Sequence, residues 1–252
     1  MVDRNDMAFG TAVAALAGLG DTSVWSLIVT VMGDSAAREG DKIAGPVLAQ
    51  ILEPIGVRPE ALRVALHRLR KDGWIISDKT GRTSVHRLTD KGLAETRVAA
   101  SRIYQRQVNF PDRWYLFWAE PEENPPPPEG MLRLGRGIFL GQGDAPDCAD
   151  FLVMQGRVKS VPQWLQSRLG GPDLMLAFEH LVAALSEVNE ILVNTSGLSP
   201  LQIETLRTLI VHHWRRNLLK HPDLPLGFFP DGWQGEACRG LVVGLLDRLG
   251  RP

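Results

Sequence analysis

Apolar side chains recur at helical spacing in three successive segments near the start of the chain, residues 24–33, 46–52 and 59–71. The second and third segments begin with Pro46 and Pro59, and proline is favoured in the first turn of a helix. A short turn separates these two segments. The pattern therefore predicts three helices arranged as a helix-turn-helix.

The third segment has two chemically different sides. Leu62, Leu66 and Leu69 are spaced to face a core. Cationic or imidazole side chains occupy or flank the other positions: Arg58, Arg63, His67, Arg68, Arg70 and Lys71. A recognition helix needs such a division, because long cationic donors reach phosphates and guanine edges while the apolar side holds the helix in its domain. We therefore predict that residues 59–71 form a recognition helix.

A β-hairpin is predicted directly after this helix. Residues 74–77 and 83–88 have the composition of strands, and residues 78–82 form a basic turn between them. Lys79 and Arg82 lie at the tip of this hairpin, which therefore resembles the wing of a winged helix. A final helix follows, capped by a threonine at position 89.

The charge balance changes along the chain. Residues 1–107 carry 15 Lys and Arg against 12 Asp and Glu, whereas residues 108–252 carry 13 against 17, although the net charge of the whole chain is only −1. Residues 58–106 alone hold 12 basic and five acidic residues. A basic segment in a nearly neutral chain favours a polyanion such as double-stranded DNA as the partner of that segment, although a solvated helix face would show similar charge.

The rest of the chain changes from strand-like to helical patterns. Three β-like segments, with a connector at Pro125–Pro128 that cannot be helical, indicate a small α+β module with an antiparallel sheet. From residue 164 onward the periodicity is helical. We therefore predict an α+β multidomain chain with three parts: a winged helix-turn-helix domain in residues 1–107, a small central α+β domain in residues 108–163 and a helical domain in residues 164–252.

Composition excludes several other classes of protein. No run approaches the roughly 18 apolar residues that a membrane span needs, and no signal peptide is apparent. Cys148 and Cys238 are too far apart in sequence to indicate a disulfide framework or a zinc motif. We therefore expect a cytoplasmic protein that makes no membrane contact. The sequence shows no dinucleotide fingerprint, Walker loop, nucleophile elbow or HExxH motif, so we expect neither an enzyme nor a cofactor.

Several motifs, in this order, are similar to those of one known family. The N-terminal ones are RVALHRL at residues 63–69, followed by Gly-Trp, and HRLTDKG at residues 86–92. The C-terminal ones are LIVHHWR at residues 209–215, PDLP at residues 222–225 and PDGWQG at residues 230–235. In these motifs the chain resembles the PaaX family, repressors of phenylacetate degradation.

The resemblance implies a winged-helix DNA-binding domain, a central ferredoxin-like domain and a helical C-terminal domain. It also implies a homodimer that represses catabolic genes and is released by an aryl-CoA thioester. The central part departs from the family pattern, because Pro125–Pro128 stands where the family has a helix. Two alternatives stay open: a metal-dependent nuclease that uses Glu120 or Asp112 beside the first central strand, and a regulator that binds DNA without a small-molecule effector.

An effector pocket for an aryl-CoA would need apolar walls and cations for the phosphates. The candidate residues are Arg207, His212, His213, Arg215, Arg216 and Trp233. The competing expectation is that Trp233 belongs to a core and that Arg215 pairs with Asp223 or Asp231. A metal site at His212 and His213 is not expected, because consecutive helical residues point about 100° apart.

Overall fold

The computed structural model describes residues 4–250 except residues 21, 82, 121–124 and 129. In these residues the chain forms the following α-helices: α1 (Arg4–Ala17), α2 (Val24–Ser35), α3 (Gly45–Leu52), α4 (Pro59–Lys71), α5 (Asp90–Ile103), α6 (Gln163–Leu169), α7 (Pro172–Val193), α8 (Pro200–Leu218) and α9 (Gly235–Leu249). The strands of the same residues are β1 (Ile43–Ala44), β2 (Ile75–Thr80), β3 (Thr83–Leu88), β4 (Trp114–Trp118), β5 (Leu132–Gly135), β6 (Ile138–Gln142) and β7 (Leu152–Gly156).

These elements form a mixed α+β structure with two small antiparallel sheets. The strand orders are β1-β3-β2 and β5-β6-β4-β7. Backbone contacts divide the chain into two units. Unit 1 comprises Met1–Arg106, Asp173–Lys220 and Gln234–Pro252, and unit 2 comprises Gln107–Pro172 and His221–Trp233.

The core of unit 1 forms around α2, α3 and α4. Leu27, Ile28, Leu48 and Leu69 are fully buried there, together with the apolar ends of β2 and β3. The predicted helices and hairpin are present, although α2 extends two residues beyond Gly33, where the sequence predicted its end. Helical spacing together with the prolines at the helix starts located the helices, because each helix buries one apolar side against its neighbours.

The last third of the chain contributes directly to unit 1. Helix α8 packs against α1, α2, α3, α5 and α9, and most of its length is buried. Its Trp214 is 1% exposed and donates from Nε1 to the carbonyl of Ile103 at the end of α5, at 2.9 Å. Unit 1 therefore combines N-terminal and C-terminal helices. The three-part domain division of the sequence stays a prediction.

Unit 2 is built on the four-stranded sheet. Strand β4 lies between β6 and β7, with Phe117 opposite Phe139 on one side and Val153 on the other. These rings form the small core of the unit with Tyr115. The strand order is that of ferredoxin-like folds, but the described residues of the two crossovers, between β4 and β5 and between β6 and β7, contain no helix.

Candidate nucleic-acid interface

Helix α4 is held in unit 1 by one side only. Pro59 occupies its first turn, and Leu62, Ala65 and Leu69 are at most 7% exposed against α2 and β2. At its C-terminus the Trp74 N–H donates to the carbonyl of Leu69 at 2.9 Å, which turns the chain directly into β2. The opposite side of α4 is therefore left to solvent.

That free side is cationic, as the sequence predicts. All six residues singled out on or beside α4 are exposed: Arg58, Arg63, His67, Arg68, Arg70 and Lys71. Two of them form ion pairs with neighbours on the same helix or at its end, Arg63 with Glu60 at 3.1 Å and Arg68 with Asp72 at 3.7 Å. Because the two guanidinium side chains are each 74% exposed, such pairs contribute little and leave the charges accessible to a partner.

One exposed residue on this surface is apolar and was not predicted from the sequence. Val64 is 69% exposed and lies four and seven residues before Arg68 and Lys71, in the same row of the helix. A single exposed valine is common in soluble proteins, so its exposure alone indicates no function. Its position on a cationic helix face makes it a candidate contact residue.

The hairpin after α4 has a two-residue turn. Thr80 pairs with Thr83, and Lys79 pairs with Ser84 one step from the end. Gly81 adopts a positive φ of 65°, which the tight turn requires and glycine accepts without strain. Lys79 is exposed near the tip, and Arg82 lies outside the described residues.

Polar contacts hold the start of α5 and the two strands of the hairpin. Thr89 caps α5 as predicted, accepting from Gly92 N–H at 3.0 Å, and its hydroxyl also donates to the carbonyl of Gly73 at 2.6 Å. Inside the hairpin, His86 Nδ1 lies 2.8 Å from the Ser77 hydroxyl. Burial and the nearby positive charge of Arg70 both lower the pKa of His86, so this ring is neutral near pH 7.

The six predicted effector residues do not converge on one site. His213 and Arg216 line the same cleft of about 320 Å³ between α1, α7 and α8. His212 and Arg215 lie toward α2, where Arg215 donates to the Ser26 hydroxyl at 2.6 Å. The expected pairing of Arg215 with Asp223 or Asp231 stays a prediction. The role of the six residues in effector binding stays a prediction.

Arg207 is bound to internal partners. Its guanidinium donates to both carboxylate oxygens of Asp34 at 2.8 and 2.9 Å, and to the carbonyls of Leu246 and Gly250 at 3.2 and 2.6 Å. Tyr104 donates its hydroxyl to the same carboxylate at 2.8 Å. The network ties α2, α5, α8 and the end of α9 together, which gives Arg207 a structural role in this conformation.

Both adjacent histidines of α8 are buried as neutral rings. Burial, followed by the charges around it, lowers the pKa of His212 to about 3, and burial and Arg216 lower that of His213 to about 4.

Trp233 lies in unit 2, where its ring stacks on Phe229 with centroids 4.1 Å apart. This placement agrees with the competing expectation that Trp233 belongs to a core.

The two carboxylates of the nuclease alternative lie at opposite ends of β4. Asp112 precedes this strand and Glu120 follows it, so its five residues, roughly 17 Å at the usual rise, separate them. Among the described residues no three His, Cys, Asp or Glu side chains are grouped as metal ligands. In the same part of the chain no helix combines the length and the apolar character needed to cross a bilayer.

Comparisons with known proteins relate both ends of the chain to one family. Residues 23–92 match the family model of the PaaX-like protein, and residues 171–252 match the model of the PaaX-like protein C-terminal domain. The transcriptional repressor PaaX of Escherichia coli strain K12 is 27% identical over 256 aligned positions, which cover 89% of this chain and 79% of that protein. Rv0674, an uncharacterized protein from Mycobacterium tuberculosis, has a similar fold with a TM-score of 0.53 at 17% identity, over 89% of this chain and 96% of that one.

Proposed function

The chain belongs to the PaaX family, and we propose that it is a transcriptional regulator of the PaaX type that binds duplex DNA through a winged helix-turn-helix in unit 1. We also propose a cytoplasmic location, because a regulator can contact its operator only in the compartment that holds the chromosome. The observation that carries the DNA-binding part is the exposed cationic side of α4 next to an exposed, lysine-tipped hairpin.

Helix α4 is proposed to enter the major groove. Arg63, His67 and Arg70 recur at intervals of four and three residues, so they form one row that can follow the groove. Arginine donates two parallel hydrogen bonds to the O6 and N7 atoms of guanine, and it also reaches phosphates. Val64 in the neighbouring row has the apolar surface that contacts a thymine methyl group.

The hairpin and the ends of α4 are proposed to hold the sugar-phosphate backbone. Lys79 and Arg82 would contact phosphates beside the groove that α4 occupies, and Arg58, Arg68 and Lys71 would do the same at the two ends and the flank of the helix. These contacts position the protein but read no sequence, so they are expected to govern the salt dependence of binding.

A homodimer and an effector complete the proposal. Two copies of α4 would contact half-sites one turn of DNA apart, about 34–36 Å. By resemblance to the family, the regulator would repress a catabolic operon of the phenylacetate type and would be released by an aryl-CoA thioester. The E. coli relative named as a transcriptional repressor supports repression rather than activation.

Footprinting on the promoter region beside the gene of this protein tests the proposal. We expect the wild-type protein to protect one site with two half-sites, and we expect Arg63→Ala/Arg68→Ala/Lys79→Ala to lose that protection. A matched control removes three exposed cations from unit 2: Arg113→Ala, Arg157→Ala and Lys159→Ala. Loss of protection by both variants alike, or by neither, would contradict the assignment to α4 and the hairpin.

The effector is tested in the same assay. Addition of phenylacetyl-CoA is expected to release the footprint, whereas free CoA is not. A footprint unchanged by a panel of acyl-CoA thioesters would favour the alternative of a regulator without a small-molecule effector. Light scattering during gel filtration measures the dimer independently of DNA.

A further inference from the structure

The first residue of α3 is a glycine that lies against strand β3. Strand β1 leads into this helix and pairs with β3, where Ile43 lies opposite His86. A Cβ atom on Gly45 would stand 3.3 Å from the carbonyl oxygen of Ser84 and 3.4 Å from Nε2 of His86. Gly45 therefore places no side chain over this imidazole nitrogen.

The same nitrogen has no hydrogen-bond partner among the described residues. His86 is 5% exposed, and its one hydrogen bond joins Nδ1 to the hydroxyl of Ser77 at 2.8 Å. Side-chain nitrogens of buried residues are nearly always paired with protein, water or ligand. Nε2 is thus an unused polar atom next to the start of α3.

The start of α3 also needs acceptors. The first N–H groups of a helix have no acceptor inside it, and Ala44, which precedes this helix, offers none through its side chain. Pro46, Val47 and Ser84 are exposed around this point. The helix dipole favours an anion at such an end. A negatively charged group can therefore reach the first turn of α3 and His86 from solvent.

The charges near this opening also favour an anion. Arg70, in the last turn of α4, is exposed and lies close enough to His86 for its charge to lower the pKa of that imidazole. Asp78 follows Ser77 in the hairpin and so projects from the other face of β2, where it pairs with Arg87 at 3.7 Å. The cation therefore lies near His86, while this carboxylate is held on the opposite face.

We propose that the first turn of α3 and Nε2 of His86 bind one phosphate of the backbone of duplex DNA. The inference rests on the proposed function and extends its interface from α4 and the hairpin to α3. With the Ser77 hydroxyl donating to Nδ1, the neutral imidazole carries its proton on Nε2 and donates a hydrogen bond to a phosphate oxygen. Such a contact fixes the position of the protein on DNA without reading its sequence.

DNA is the source of this phosphate because the elements proposed to contact DNA border the same opening. His86 belongs to the hairpin, and Arg70 belongs to the row of α4 that is proposed to enter the major groove. A free phosphate ion would be held by these few groups alone. A DNA phosphate is brought there at high effective concentration by the other contacts of the interface.

Replacement of single phosphates tests the contact. Binding to the promoter duplex is measured by fluorescence anisotropy, with each phosphate of one half-site replaced in turn by a neutral methylphosphonate. At least one replacement that weakens wild type should have no effect on His86→Met, which has no donor and is expected to bind unmodified DNA about tenfold more weakly. His86→Gln keeps an N–H donor on a side chain of similar length and is expected to recover most of the affinity.

Gly45→Ala tests the opening without changing the imidazole. Its Cβ atom would stand against Nε2, so the variant is expected to bind DNA more weakly and to lose the effect of the same methylphosphonate. Gly10→Ala is the matched control and is expected to bind like wild type, because Gly10 is an exposed glycine of α1 at which an added Cβ meets nothing within 4 Å. Thermal denaturation confirms that each variant is folded.

The outcomes separate this contact from the proposed function. If wild type binds no duplex DNA, both are refuted. If wild type binds, and every methylphosphonate weakens His86→Met and Gly45→Ala as much as it weakens wild type, the contact is overturned and the proposed function stands. Inorganic phosphate in place of chloride, at constant ionic strength, is expected to change the DNA affinities of wild type and His86→Met alike. A loss confined to wild type would identify the free ion as the ligand and overturn the assignment to DNA.

Discussion

Asp34 connects the N-terminal helices to the C-terminal ones, and its removal is expected to destabilise unit 1 severely. Its carboxylate accepts hydrogen bonds from Arg207 and Tyr104, and the two charged side chains are only 2% and 4% exposed. In Asp34→Ala the guanidinium of Arg207 stays buried without its counter-charge. The pKa of Arg207 shows the balance: burial lowers it, but the hydrogen bond and charge of Asp34 raise it overall.

The magnitude follows from this burial. Removing one partner of a buried ion pair costs about 3–5 kcal/mol, and each kcal/mol lowers the melting temperature of a chain of this size by about 2–4 °C. We therefore expect Asp34→Ala to melt roughly 10 °C below wild type. Thermal denaturation followed by circular dichroism measures the shift.

A surface pair provides the control. Asp247 also accepts two hydrogen bonds from an arginine, Arg106, but these side chains are 51% and 67% exposed. Solvent screens such a pair, so Asp247→Ala is expected to melt close to wild type. Replacing both members of the buried pair, in Asp34→Leu/Arg207→Met, is expected to recover part of the lost stability. An Asp34→Ala midpoint no lower than that of Asp247→Ala would refute the reasoning.

Three further expectations concern stability. His212 and His213 have pKa values of about 3 and about 4 in the folded protein, against about 6.5 in the unfolded chain. The unfolded chain therefore takes up more protons below pH 6.5, and the free energy of unfolding should fall by about 2 kcal/mol per ring between pH 7 and pH 5. Denaturant titrations at the two pH values measure this loss, which should be smaller in His213→Gln. Gly92→Ala would place a Cβ atom 2.5 Å from the carbonyl oxygen of Trp74, so the variant should lower the melting temperature by several degrees, and an unchanged midpoint would contradict that contact. Ser199 forms a capping box at the start of α8, and Ser199→Ala should cost about 1 kcal/mol in urea denaturation, with Ser199→Asp retaining most of the stability.

Local signals were sufficient to predict α4, the hairpin and α5. Pro59, the spacing of Leu62 and Leu69, and the cap at Thr89 each act within a few residues, and the structure has α4, the hairpin and α5 in the predicted places. Helix α1 gave no such signal, because its apolar residues are mostly alanines and it is stabilised by packing against α8.

Contacts between distant parts of the sequence explain what was not predicted. Arg207 was expected to bind an effector, but its carboxylate partner is 173 positions away in the chain, and nothing in the sequence marks Asp34 as that partner. The same holds for the cleft of His213 and Arg216, whose other walls come from α1 and α7. The sequence indicated the charged and imidazole side chains of α8 but not the residues that surround them in the fold.

The salt dependence of DNA binding tests the central claim most directly. Binding to the promoter fragment is measured between 50 and 300 mM KCl, by fluorescence anisotropy, for wild type, Arg63→Ala/Arg68→Ala/Lys79→Ala and the unit 2 control. We predict that the variant in α4 and the hairpin makes the negative slope of log association constant against log salt concentration shallower by about 2–3, close to 0.9 for each lost phosphate contact. The control variant should keep the wild-type slope. A slope and low-salt affinity in the α4 and hairpin variant equal to those of wild type would contradict the assignment of the DNA interface to α4 and the hairpin.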